Sequence, residues 1–100
     1  MNATAEPATA CYHTHIDALT HPDGKVTKRP EEEEPIRIQA VDAETAARIA
    51  AWAFIETEMP ERPVGWTLHV HVIGPRRDRR GRAECWTIDV YIDTPTKILH

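Results

Sequence analysis

Six histidines in 100 residues give this chain its first chemical character, and four of them form two H-x-H pairs, His13/His15 and His69/His71. On a β-strand, residues two apart project from the same face, so each pair can offer two imidazoles to one metal ion. Asp17 continues the parity of the first pair and adds a carboxylate. If the strands carrying the two pairs are neighbours, His13, His15, Asp17, His69 and His71 gather on one face, with Cys11, Cys85 and Asp89 as further donors. Such a mixed N/O/S set suits zinc or another late first-row ion. The competing reading is a solvated sheet face, on which His69 faces Asp89 across a hairpin in one of the registers that keep the apolar faces together.

The run His13-Thr14-His15-Ile16-Asp17 resembles the metal-binding strand of metallo-β-lactamase-like hydrolases, and His15-x-Asp17 is similar to part of the iron triad of non-haem oxygenases. The resemblance spans five residues and implies a metal-binding strand, with no activity carried over. The hydrolase motif continues with a histidine where this chain has Ala18, and both families use folds much larger than 100 residues. Catalysis without metal has less to build on. Cys11, Cys85, His69 and Asp89 can supply a thiol–imidazole or imidazole–carboxylate pair, yet no glycine-rich elbow, phosphate loop or nucleophile motif accompanies them. No catalytic residue is assigned.

A second cluster is basic. Arg76, Arg77, Arg79, Arg80 and Arg82 crowd around one aspartate, so the rest of the chain is more acidic than the net charge of −4 suggests. Guanidiniums at a hairpin tip can clamp phosphates, and a β-ribbon fits the major groove, which makes these five the candidate nucleic-acid surface. The acidic remainder repels a polyanion from every other approach, and the loop lacks aromatic residues for stacking on single strands. Charges there also keep an exposed hairpin from pairing with others.

Strands and one helix must position these groups. From Cys11 to Leu19 the pattern alternates, with Tyr12, Ile16 and Ala18 on one parity and Cys11, His13, His15 and Asp17 on the other. His21-Pro22-Asp23-Gly24 reads as a turn, and the charged stretch from Lys25 to Pro35 as a loop. Pro35 to Val41 alternates again. Asp42 then predicts an N-cap, Glu44 suits the positive end of the helix dipole, and a helix runs from Ala43 to about Glu58, stopped by Pro60. Trp66, Leu68, Val70 and Val72 mark a third strand, with Thr67, His69 and His71 opposite. Trp86, Ile88, Val90 and Ile92 repeat this in a fourth, which Thr94-Pro95 ends, after a loop of about ten residues. The order predicts an α+β domain over 10–94, of ββαββ type: an antiparallel four-stranded sheet with one helix packed on one face. Residues 1–9 read as a disordered tail and 95–100 as a short carboxyl-terminal one.

Helical periodicity puts Ala46, Ala50, Ala53 and Thr57 on a small-residue stripe flanked by Ile49 and Phe54, which predicts the buried side. Trp52 and Ile55 then face outward beside Arg48. Such a pair is cover for the amino-terminal tail, a homodimer contact or a partner site. Glu56, Glu58 and Glu61 crowd the carboxyl end of the helix, where negative charge opposes the dipole. Local stability does not account for them, whereas steering a basic partner does. Trp52, Ile55, Glu56, Glu58 and Arg48 are therefore the candidate partner-binding residues of an inhibitor, an antitoxin or immunity-type protein, or an adaptor.

The whole chain fits that class. One hundred residues hold one modest core. No apolar run approaches the roughly 20 residues that span a bilayer. The amino terminus lacks the basic start and apolar stretch of a signal peptide, so a cytoplasmic protein with reduced thiols is expected.

Overall fold

The computed structural model describes residues 8–30, 34–58 and 64–93. Most of the expected amino-terminal tail, the acidic run up to Glu33, the Pro60 stop and the carboxyl-terminal tail lie outside them. The elements are β1 (Ala10–Thr20), β2 (Val26–Lys28), β3 (Ile36–Ala40), α1 (Ala43–Glu58), β4 (Thr67–Arg77) and β5 (Ala83–Tyr91). Every strand pairing is antiparallel, in the order β2–β1–β4–β5, and β3 also pairs with β1. The fold is α+β, with one helix against a five-stranded sheet.

The fifth strand comes from the segment expected to be loop. His21 N–H donates to Lys25 O at 2.7 Å and Gly24 N–H to His21 O at 2.9 Å. Gly24 sits at φ 94°, a backbone region that L side chains resist. This tight turn lays Val26–Lys28 back along Ala18–Thr20, so proximity, and not hydrophobic patterning, makes β2. β3 takes Ala10–Thr14 on the same edge of β1. Between the two, Asp17 O accepts the Arg29 N–H at 2.9 Å.

β1 is not regular. Ile16 faces Val70 and Ala18 faces His69, so Asp17 is an extra residue, a β-bulge. The bulge resets the alternation: Tyr12, Thr14, Ile16 and Leu19 are buried. Simple alternation would have placed Ala18 on that side. Burying a leucine in its stead removes more apolar surface from water. On this face the Thr14 hydroxyl is satisfied, Oγ1 donating to Ile36 O at 3.0 Å.

α1 begins as its sequence requires. Thr45 N–H donates to Asp42 Oδ1 at 2.8 Å, and Ala46 N–H to Asp42 O at 3.1 Å. The hydrogen bonds from Thr45, its backbone amide foremost, hold the Asp42 carboxyl below the usual carboxylate range. The helix is rotated from the expected orientation. Ala43, Ala46, Ala47, Ala50, Ala51 and Ile55 are buried, whereas Ala53 and Thr57 are exposed. The outward Trp52–Ile55 pair therefore does not form. Ile55 is 3 % exposed within the core, and Trp52 is half-buried. Alanines let the helix lie close over Leu68, Val70 and Val72, and Ile55 fills volume that Thr57 would leave empty.

The β4–β5 hairpin is longer and its loop tighter than expected. The ladder runs from Thr67↔Tyr91 to Ile73↔Cys85, passes an irregularity and closes at Arg77↔Ala83. A turn at residues 78–82 follows. Asp78 N–H donates to Arg82 O at 2.8 Å, and Asp78 Oδ1 accepts the N–H groups of Arg80 at 2.8 Å and Arg82 at 2.9 Å. Gly74 permits a close approach: a Cβ there would meet the Trp86 ring at 3.0 Å. Among the described residues, no helix is long and apolar enough to cross a membrane.

Candidate functional site

The helix covers one face of the sheet, and His13, His15, His69 and His71 lie on the other. Register alone sets their neighbours. His13 faces Arg37 on one side and Ile73 on the other, and Ile73 faces Cys85. His15 faces His71, which faces Thr87. Ala18 faces His69, which faces Asp89. Neighbouring β1 and β4, the condition for the two H-x-H pairs to share a face, is therefore met.

Hydrogen bonds then decide what the imidazoles can do. His69 Nδ1 lies 2.7 Å from Asp89 Oδ1, and its Nε2 lies 2.6 Å from Thr20 Oγ1. His15 Nδ1 lies 2.8 Å from Asp17 Oδ1, and its Nε2 lies 3.1 Å from Pro30 O. Both nitrogens of each ring are thus engaged, and a metal would have to displace an existing bond. Among the described residues, no group of three or more His, Cys, Asp or Glu side chains is placed to hold a metal ion. His13, His15, Asp17, His69 and His71 share a face without forming a ligand set. His13, His15, Asp17 and His71 line one cleft of about 400 Å3 on this face. Cys11 and Cys85 are free thiols on β1 and β5.

Thr20, His69 and Asp89 repeat the atom order of a hydroxyl–imidazole–carboxylate relay. In a catalytic relay the carboxylate is buried, where low dielectric strengthens its hold on the imidazole. Here the Asp89 side chain is 62 % exposed on an open sheet. The chemistry this supports is a tie across β1, β4 and β5. A similar tie joins His21 Nε2 to Thr27 Oγ1 at 2.8 Å, with the His21 ring packed on Trp66 at 4.1 Å between centroids.

All five arginines of the basic cluster are exposed, with Arg76 and Arg77 on β4 and Arg79, Arg80 and Arg82 in the turn. Asp78 sits among them and organises the turn backbone.

The partner-binding candidates are divided by the helix rotation. Arg48, Glu56 and Glu58 are exposed, Trp52 is half-buried and Ile55 is internal. Arg48 and Trp52 belong to a groove of about 370 Å3 between α1 and β5. Ile88, Val90 and Tyr91 supply its apolar part, and Glu44, Asp89 and Asp93 supply carboxylates. Arg48 is held by Glu44 at 3.0 Å, so the cation is already partly neutralised. The last turn of α1 carries no basic residue to offset Glu56 and Glu58.

Sequence reasoning missed the β5 half of this groove. Its signal was the Ile88/Val90 alternation, which became informative only once the helix was known to lie beside β5. A second cleft, of about 240 Å3, opens between β1 and α1 and includes His15, Arg29, Ile36 and Phe54. The Arg29 guanidinium lies 4.7 Å from the centre of the Phe54 ring, a cation–π contact. No motif announced this cleft, because it arises where β2 gives way to β3 on one edge. In comparison with known proteins, no family model matches the chain, and no similar curated protein or solved structure is found.

Proposed function

We propose that this chain is a small protein-binding module, of the inhibitor, antitoxin or immunity, or adaptor kind, that receives a basic and partly apolar segment of its partner. The observation that carries the reading is the groove between α1 and β5. Its apolar part is Trp52, Ile88, Val90 and Tyr91, and its carboxylates outnumber its single, already paired arginine. Apolar surface supplies affinity there, while the carboxylates of Glu44, Asp89 and Asp93 select and steer positive charge. Glu56 and Glu58 extend the acidic field along the helix. Nucleic acid would have to be met away from this groove, whose carboxylates repel phosphate, by Arg76 and Arg77 of β4 and the arginines of the turn.

The test is a titration with an arginine–valine alternating peptide, followed by fluorescence anisotropy. Glu44→Lys with Asp93→Lys should weaken binding at least about tenfold, a loss well beyond the small drop in melting midpoint expected from breaking the Glu44–Arg48 pair at the positive end of the helix. Equal binding of a peptide with glutamate in place of arginine would sink the reading.

A further inference from the structure

We propose that the outer edge of β5 pairs with β5 of a second copy of this chain, antiparallel about a two-fold axis at Thr87. The inference rests on the groove being a dock for basic segments, and it names the segment: the arginine turn of the other copy.

Strand edges come first. One side of β5 is hydrogen-bonded to β4, and no other described strand pairs with it. Its nine residues, Ala83–Tyr91, contain no proline and no lysine, the usual guards of an exposed edge. The opposite edge of the sheet is broken into β2 and β3, which makes it a poor template. On the helix side of β5, Trp86 is 38 % exposed, and Ile88 and Val90 are half-buried.

An antiparallel pair of β5 strands centred on Thr87 satisfies this edge. Trp86 then lies opposite the partner's Ile88, and Glu84 opposite the partner's Val90. Cys85 falls opposite the partner's Asp89. No carboxylate faces another, and the half-covered apolar row becomes continuous across both copies.

Charge fixes the direction. The arginine turn precedes β5, whereas Asp89 and Asp93 lie towards its end, where Glu44 joins them in the groove. Antiparallel pairing carries the arginine turn of each copy to the acidic end of the other, twice. Parallel pairing would set turn against turn. The separation of a basic tip from an acidic body becomes complementary across two copies.

Sedimentation of the full chain across about a hundredfold range of concentration reads the equilibrium. A monomer–dimer transition is expected, weakened by added salt and weakened at least about tenfold by Thr87→Lys, which sets two ammonium groups face to face. Circular dichroism of that variant should be unchanged, since Thr87 is exposed. In a Cys85→Ser background, Thr87→Cys should form an interchain disulfide on mild oxidation, because opposed residues bring their Cβ atoms within about 5.5 Å. A monomer at every concentration overturns the inference, as does a dimer indifferent to Thr87→Lys or one that fails to cross-link. A monomer that still binds the arginine–valine peptide leaves the groove reading standing. A monomer that ignores the peptide ends both.

Discussion

The two faces of β4 put opposite demands on the same strand. Towards α1, Leu68, Val70 and Val72 are 0 % exposed and answer to shape and volume. Away from it, His69 and His71 are half-exposed, and what matters is which atoms stand within hydrogen-bonding distance. The covered face tolerates exchange between apolar residues of similar size and resists any change of parity. The open face tolerates a change of side chain and loses one tie at a time.

Paired deletions in β1 test that contrast most severely. Removing Thr14 shifts the strand by one residue and sends either Tyr12 or the Ile16–Leu19 part of the core to the open face; cooperative thermal unfolding should disappear. Removing Asp17 takes out only the bulged residue and leaves Ile16 against Val70 and Leu19 against Leu68. Its cost should be about 1 kcal/mol, chiefly the lost bonds to His15 and Arg29. Equal damage from the two deletions would refute the assigned bulge. Next in size, Leu68→Ala empties a fully buried site and should cost about 2–5 kcal/mol in denaturant unfolding. On the same strand, His69→Ala breaks the bonds to Thr20 and Asp89 and should cost only about 1 kcal/mol, since water can satisfy both partners. A loss from His69→Ala as large as that from Leu68→Ala would erase the distinction between the faces.

Much of the open face was legible before any coordinates. Alternation places His69 and His71 opposite Leu68, Val70 and Val72, and the Asp89 partner of His69 follows from one of the registers that keep both apolar rows together. The helix start was equally plain, because a cap is a local event: Asp42 needs only the amides of the turn that follows it. The rotation of α1 was not. An alanine-rich helix has a weak apolar stripe, so several orientations bury similar area in isolation, and the choice fell to whichever let Ile55 fill the space above the sheet. Asp17 was misread for a related reason. A bulge leaves no mark in a polar–apolar pattern until the partner strand shows which residue has no opposite number.

By itself the sequence determined the kinds of element, their order, the N-cap of α1, the faces of β4 and β5 and the separation of basic from acidic segments. These depend on neighbours within a few residues, where backbone geometry and periodicity act directly. Tertiary structure alone decided that Thr20, His69 and Asp89 form a chain of hydrogen bonds, that the H-x-H pairs share a face, and that Trp52 lines one groove with Ile88, Val90 and three carboxylates. Each of those depends on which strand lies beside which and on how far a helix is rolled. Both are set by the packing of the whole core and not by any single segment.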